Sequence, residues 1–524
     1  MEESPGGRPI ERVALHPSRR LFLGSAPAMQ LSPAHADLAQ RYDAIPYATV
    51  PHPLTHPDRL ATVASFLGLS PPPVGRARVL EVGCGDGANL IPMAATLPDA
   101  RFVGCDLVRR ALASGRTTIA ALGLANIELV EEDLAALSPA HGQFDYVIAH
   151  GVYSWVPLVV RDGLLALAAT RLARNGVMFV SFNALPGCRV RQAAWDVLHR
   201  HVDHLGSPRE RLAAARELAT IIGTGNRSLH ESDDAMRAEF RAIARSTDSE
   251  LCHDTLAVPN DPVYFHAFNE HIARFGLRYL AEAELHSMSA AGLTPEARAL
   301  VSKLDPASRE EYLDFVRLRR FRQSLVCHAD APASAAPLPE RLDAMHAATD
   351  RALLQAAANG KIPDLARQID PNHGGGGPIR LLLEHIVERA PAAVPVRLLR
   401  ERVAGQPLPR GFDAVLTDAY VSNLVTLHVH SPPLVTVAGE RPVAGALARL
   451  EAATRDDLTS LLHTRVKLPD ANARRLLALL DGTRDRTALA AAIDGPAFAH
   501  PRDAAARFVD HALAQFGRMG LLAA

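Results

Sequence analysis

The residues with the most informative spacing are Val79-Leu80-Glu81-Val82-Gly83-Cys84-Gly85-Asp86-Gly87. An apolar run opens into a glycine-rich turn, where the chain turns tightly and a ligand approaches the backbone closely. The pattern E-x-G-x-G-x-G differs from the G-x-G-x-x-G of dinucleotide-binding turns, and no lysine follows it as a phosphate-cradling loop requires. A carboxylate at Glu81 suits a positively charged ligand better than it suits pyrophosphate.

S-Adenosylmethionine (SAM) carries an ammonium and a sulfonium and no phosphate, so it is the cofactor this turn predicts. Further acids follow in the order such a ligand needs. Phe102-Val103-Gly104-Cys105-Asp106 places a carboxylate 25 residues after Glu81, where an acid at the end of the adjacent strand reaches both ribose hydroxyls. Glu131-Glu132-Asp133-Leu134 ends a third run, where an acid accepts from an adenine amino group. Phe144-Asp145-Tyr146-Val147-Ile148-Ala149-His150 ends a fourth, facing the methyl group. The expected cofactor-binding set is Glu81, Gly83, Gly85, Gly87, Asn89, Asp106, Leu107, Asp133, Leu134 and His150, with Asp145 read as structural.

These residues need a parallel α/β framework to converge. Short apolar runs alternating with helical stretches predict strands at 78–82, 102–106, 127–131, 146–149 and 177–182, and helices at 89–97, 108–122 and 162–172. Residues 189–300 read mostly as helix. Residues 308–327 read as one more helix, with Arg317, Arg319, Arg320 and Arg322 on a solvated or salt-bridging face. The Ala/Pro-rich stretch 329–339 reads as a linker, and the glycines of 373–378 as a second break. From residue 379 onward, two helix–turn–helix segments each carry an extended piece, the pattern of small winged-helix-like modules. The expected organisation is a disordered leader (1–30), a SAM-binding domain (31–190), a helical region (191–330), a middle module (340–430) and a C-terminal module (431–524).

Composition limits the partners. Over 524 residues the formal net charge is -1, which argues against a chain held on nucleic acid or anionic lipid by bulk charge. Only three of the 56 basic residues are lysines (Lys303, Lys361 and Lys467), a bias that fits codon usage in a GC-rich genome. Five scattered cysteines without a C-x-x-C fit neither a disulfide framework nor a zinc site and suggest a reducing cytoplasm. No run is long and apolar enough to span a membrane. Ser18-Arg19-Arg20-Leu21-Phe22-Leu23 resembles a twin-arginine export signal, but its apolar stretch is short and broken by Pro27. The pairs His199/His201 and His428/His430 lack the cysteines or the H-E-x-x-H arrangement of a metal site, so no metal is expected.

Longer matches narrow the family. Tyr42-Asp43-Ala44-Ile45-Pro46-Tyr47 and Thr55-His56-Pro57-Asp58-Arg59-Leu60 precede the glycine turn, and His150-Gly151-Val152-Tyr153-Ser154-Trp155-Val156-Pro157 follows the fourth strand. Ser181-Phe182-Asn183-Ala184-Leu185-Pro186-Gly187, Asn260-Asp261-Pro262-Val263-Tyr264-Phe265, and Phe321-Arg322-Gln323-Ser324-Leu325-Val326-Cys327-His328 come later. Together these resemble class I SAM-dependent methyltransferases carrying a methyltransferase regulatory domain, which include the rickettsial-type protein lysine methyltransferases. The resemblance covers residues 40–524 and is strongest up to residue 328. It implies a Rossmann-like α/β domain, a helical regulatory and dimerisation region (hence a homodimer), winged-helix C-terminal modules, and methyl transfer to lysine side chains of a protein substrate. Cys188 departs from the pattern, standing where a tryptophan is expected at the wall of the acceptor pocket.

The catalytic candidates are Tyr47, His150, Tyr153, Trp155 and Asn183, with Tyr42 completing an aromatic wall. Aromatic faces hold a sulfonium or a methylated ammonium by cation–π contact. His150 would contact the methionine moiety or take a proton through water, and Asn183 would orient an amine. His56 reads as a helix-start residue on a lid. The absence of an Asn-Pro-Pro-Tyr tetrad weakens methylation of nucleobases or glutamine amides. Two other functions stay open from sequence: a small-molecule methyltransferase, and a SAM-sensing regulator whose winged helices bind DNA.

Overall fold

The computed structural model describes residues 44–47, 49–225, 230–349, 351–369, 377–408, 410–493 and 503–524. The expected leader and Tyr42 lie outside the described residues.

The central sheet has seven strands in the order β3-β2-β1-β4-β5-β7-β6. Five are parallel: β1 (Arg78–Val82), β2 (Arg101–Asp106), β3 (Ile127–Glu131), β4 (Phe144–Ala149) and β5 (Leu172–Asn183). The helices α1 (Pro57–Phe66), α2 (Leu90–Thr96), α3 (Arg109–Leu122) and α4 (Leu158–Arg171) accompany them. Consecutive β1 side chains enter opposite cores, Val79 one and Leu80 the other, so the strand is buried on both faces and reads as a continuous apolar run. Asp145 is structural, its carboxylate accepting the Arg78 N–H at 2.8 Å and tying β4 to β1.

The chain then leaves the sheet for a helical bundle of α5 (Arg189–Val202), α6 (Pro208–Thr224) and α7 (Glu231–Arg245), with its own core. One π-helical turn (Leu251–Thr255) follows, then α8 (Phe265–Ala273). Two strands return to the sheet: β6 (Leu277–Glu282), and β7 (Phe321–His328), which lies antiparallel between β5 and β6. The stretch 189–300 is therefore not purely helical.

The expected single helix over 308–327 is corrected. Helix α9 (Pro306–Arg317) stops at Leu318, whose φ of 49° is left-handed, and β7 begins three residues on. Of the two readings of these arginines, solvated or salt-bridging, the salt-bridging one holds for Arg319, Arg320 and Arg322, which lie beyond the helix end rather than on a helix face. Arg322 sits in the strand with no exposed surface, bonded to Asp314 (2.7 Å), Glu282 (2.6 Å) and Glu310. Arg319 pairs with Asp314 at 3.0 Å, and Arg320 with Glu239 of the helical bundle. The periodicity misled because arginine reads as polar, and only the acids brought in from β6 and α9 make its burial affordable.

The expected linker 329–339 is a strap on the catalytic domain. Ser334 and Leu338 N–H groups bond the carbonyls of Leu67 and Phe66 at 2.7 Å each. The middle module has a three-stranded sheet in the order β10-β8-β9: β8 (His346–Thr349), β9 (Val394–Pro395) and β10 (Val425–His428). Around it lie α10 (Gly377–Arg389), α11 (Val396–Arg402) and α12 (Gly411–Val421). It shares a core with α1 and one face of the large sheet. His428 and His430, the pair considered for metal, both go to Asp58 at the start of α1: His428 Nδ1 lies 2.6 Å from one oxygen, and the His430 N–H donates to the other at 2.7 Å. The C-terminal module contains α13 (Ala446–Ala452), β11 (Asp457–Thr459), β12 (Arg465–Lys467), α14 (Ala471–Ala478), α15 (Arg486–Ile493) and α16 (Ala504–Arg518) around a separate core. Its α13 packs against α2 and α3. No helix among the described residues is long and apolar enough to cross a membrane.

Replacing Arg322 with Ala removes the buried cation shared by Glu282, Glu310 and Asp314 and should cost about 3–5 kcal/mol of stability, while Arg320→Ala, where Arg320 is half-exposed and buried Glu239 keeps its pair with Arg191, costs under about 1 kcal/mol. Denaturant unfolding of both variants measures the difference.

Candidate active site

A cavity of about 570 Å³ opens at the carboxyl ends of β1 to β5, within the range of small-molecule sites. The glycine turn forms its floor. Gly83, Gly85 and Gly87 have φ of 71°, 57° and 74°, values a side chain resists, and a Cβ on Gly85 would stand 2.9 Å from the Thr49 methyl. Gly83 and Gly85 line the cavity; Gly87 lies behind it, against Leu129 and Ile91.

Glu81, one residue before the end of β1, is almost fully buried. Asn89 Nδ2 donates to its Oε1 at 2.8 Å, and its Oε2 has no hydrogen-bond partner. Burial pushes the Glu81 carboxyl up to about 8, against the pull of the Asn89 bond; the charges of Asp106 and Asp86 add to the rise. Asp106 ends β2 and accepts from the Gly85 N–H (2.7 Å) and the Val108 N–H (2.8 Å). Burial raises its carboxyl too, opposed by these backbone bonds. Asp133 caps a short turn through the Ala135 N–H at 2.9 Å and lines the cavity with Leu107 and Leu134. Glu131 points away, to an exposed pair with Arg109.

The ends of β4 and β5 supply the next wall. The His150 ring lies against His52 with centroids 3.9 Å apart and planes tilted by 49°, and its Nδ1 lies 3.1 Å from Ser181 Oγ. Burial, with His52 beside it, pushes His150 down to about 3; burial alone pushes His52 down to about 4. Both rings are therefore neutral at pH 7. Asn183 donates to Asn260 Oδ1 at 2.8 Å, and Asn260 Nδ2 donates to the Asp254 carbonyl at 2.7 Å. Trp155 lines the cavity, and its buried indole N–H has no hydrogen-bond partner. Tyr47 lies at the same end, edge-on to His253 at 5.6 Å.

Two expectations need correction. Tyr153 does not line the cavity. It is a core residue whose hydroxyl meets His271 Nδ1 at 2.7 Å, while His271 Nε2 meets Asp162 at 2.7 Å. Cys188 does not form the wall either; its buried thiol donates to the Arg320 carbonyl at 3.0 Å. Trp195, two turns along the same helix, lines the cavity instead. His56 caps α1, its Nδ1 accepting the Asp58 N–H at 3.2 Å. Sequence reasoning missed His52, Thr55, Arg191, Trp195 and Asp254. Thr55 and His52 adjoin the Thr55-His56-Pro57 motif, whereas nothing local marks Asp254.

Comparison with known proteins agrees with this geometry. Residues 79–176 match the family described as "Methyltransferase domain", and residues 247–328 the "Predicted methyltransferase regulatory domain". Residues 440–497 match "PKMT, C-terminal winged helix domain". The Rickettsia prowazekii protein RP028 is 33% identical over 233 residues, which cover 44% of this chain and 92% of that protein. The chain belongs to the class I SAM-dependent methyltransferases that carry this regulatory domain. A longer relative, R. prowazekii RP789, is 35% identical over 294 residues, 55% of this chain; the chain spans about half of that protein's length (53%). The structure of PKMT2 from Rickettsia typhi, also solved in complex with AdoHcy, shares the fold: TM-score 0.76 at 24% identity, covering 91% of this chain and all of that one. As a methyltransferase of this family, the chain uses SAM, and the Rossmann-like domain with a C-terminal winged helix is its expected architecture.

A carboxyl that keeps its proton in the fold but not in the unfolded chain binds more protons when native, so that stability falls as pH rises between the two pKa values. In cofactor-free protein, the wild type should therefore lose stability relative to Glu81→Gln from pH 5 to pH 8, by roughly 1 kcal/mol per pH unit. Unfolding curves at several pH values check this.

Proposed function

We propose that this methyltransferase transfers the methyl group of SAM to the side-chain amine of lysine in a protein substrate. The observation that carries the reading is Asp254. This half-buried carboxylate lines the same cavity as the glycine turn, and its residue is tied by its backbone carbonyl through Asn260 to Asn183 at the end of β5. Burial and then the charge of Glu250 push it up to about 6, with Arg191 opposing them. At neutral pH it is anionic; it lies close enough to Tyr47 for its charge to act on that hydroxyl, and Trp155 and Trp195 line the same cavity. A carboxylate amid aromatic rings suits a cationic amine on a long apolar stem and is a poor receptor for a neutral hydroxyl acceptor.

The residues fit the cofactor. The unpartnered Glu81 Oε2 suits an ammonium, and Asp106 beside the Gly85 N–H suits vicinal hydroxyls. Asp133 and Leu134 suit an adenine ring with its amino group. When bound, SAM supplies a methyl group on a sulfonium, already a good leaving group. What remains for the chain is alignment, exclusion of water and deprotonation of the acceptor. The neutral rings of His52 and His150 place no positive charge beside the sulfonium. A lysine amine, ordinarily of pKa ~10.4, must lose its proton before it attacks. Asp254 holds the ammonium, desolvation by the aromatic walls favours the neutral amine, and the carboxylate takes the proton.

Free thiols at all five cysteines support a reducing compartment and hence the cytoplasm. The two C-terminal modules support a macromolecular substrate over a small one, because they add large surfaces beside the cavity without closing it.

With methyl-labelled SAM and cell proteins, label should appear on lysine Nζ by peptide mass spectrometry and vanish with Asp106→Ala. Label only in the small-molecule fraction would contradict the reading. Asp254→Asn should keep SAM affinity within about twofold and lower kcat/KM for the protein substrate by ~10²-fold.

A further inference from the structure

We propose that His463, carried by the C-terminal module, is a positioning residue of the cofactor site, so that docking of that module and binding of SAM form one coupled equilibrium. His463 lies in the turn between β11 and β12, 374 residues from Asn89 in sequence. Its Nε2 is 2.8 Å from Asn89 Oδ1. A carbonyl oxygen only accepts, so Nε2 carries the hydrogen, and burial pushes the ring's pKa well below its usual value. The ring is 4% exposed, packs 5.4 Å from His56, and leaves Nδ1 buried without a partner.

The backbone is bent to deliver this ring. His463 has φ of 58°, a conformation that costs a residue with a Cβ about 1 kcal/mol or more. The turn around it is closed on itself. The Ser460 N–H donates to the Thr464 carbonyl (2.9 Å), the His463 N–H to the Ser460 carbonyl (3.1 Å), and the two hydroxyls of Ser460 and Thr464 meet at 2.7 Å. A glycine would relieve the backbone and a polar side chain would satisfy solvent, yet the turn holds a strained histidine aimed at the catalytic domain.

The receiving amide explains the use. Asn89 Oδ1 also accepts the His52 N–H (2.8 Å), and Asn89 Nδ2 donates to the Thr55 hydroxyl (2.9 Å), which itself donates to the His52 carbonyl (2.8 Å). The His52 and His463 donors at Oδ1 and the Thr55 acceptor at Nδ2 fix which way the amide faces and turn Nδ2 onto Glu81 Oε1. Glu81 is thereby held with its other oxygen unpartnered at the glycine turn. His463 touches no cavity surface itself; it acts through Asn89. Coupling of this kind is reciprocal, so bound SAM stabilises the docked turn as much as the docked turn favours SAM. The proposal rests on SAM lying against Glu81, and its failure is separable from failure of that placement through an Asp106→Ala control.

The test measures SAM affinity and thermal stability together in the full chain. His463→Gly relieves the positive φ while removing the ring, so it should fold with Tm unchanged or raised and yet bind SAM about 5–20-fold more weakly. His463→Gln, which restores a donor, should recover part of the affinity. Hydrogen exchange in residues 457–467 should slow on addition of SAM in the wild type and not in His463→Gly. Wild-type affinity in His463→Gly, or an affinity loss that merely tracks lost Tm across the variants, would overturn the proposal. If Asp106→Ala also binds SAM as the wild type does, the cofactor placement itself is wrong.

Discussion

One amide holds the site together. Asn89 receives donors from His52 before the first strand and from His463 near the end of the chain, and its Nδ2 donates to the Thr55 hydroxyl and to Glu81. A carboxyl group buried as deeply as Glu81 is costly to charge. The amide stabilises it enough to keep it in place, and too little to satisfy it. That residual need is what a cationic ligand meets. The glycine turn and the β2 acid are arranged around it, because only a backbone without side chains at positions 83 and 85 lets a ligand come that close.

The regulatory region is part of the same sheet. Arg322 draws Glu282, Glu310 and Asp314 around itself and so fastens β7 and β6 alongside β5, whose end carries Asn183. Through Val263, whose N–H bonds the Asn183 carbonyl, and through Asn260, the same region positions Asp254. The middle module is anchored at Asp58. Burial would raise this carboxyl, but His428, His56 and the His430 N–H hold it below the usual range. The catalytic domain is thus braced on both sides, by a buried cation at the sheet edge and by a buried anion at α1.

Much of this was legible in the sequence, for physical reasons. The glycine turn, the acids ending β2 and β3, and the five parallel strands announce themselves because short-range constraints dictate them: positive φ, a strand buried on both faces, an acid where an adjacent strand ends. What was misread depended on distant partners. Arg322 read as part of a helix face because the three acids that bury it in a strand lie 8 to 40 residues away. Tyr153 looked like an acceptor wall because aromatic residues beside a motif resemble binding groups, whereas its hydroxyl is taken up by His271. Cys188 looked like a change of pocket, yet the helix it begins presents Trp195 instead. His463 carried no local signal, since its meaning lies wholly in the module that places it against Asn89.

The most direct measurement is calorimetry of SAM binding to the full chain at pH 6.5 in buffers of different ionisation enthalpy. Glu81 holds a proton in the empty site and must release it to solvent for its carboxylate to pair with an incoming ammonium. The account therefore predicts release of close to one proton per site in the wild type, and none in Glu81→Gln. Binding without proton release, or release that persists in Glu81→Gln, would contradict it.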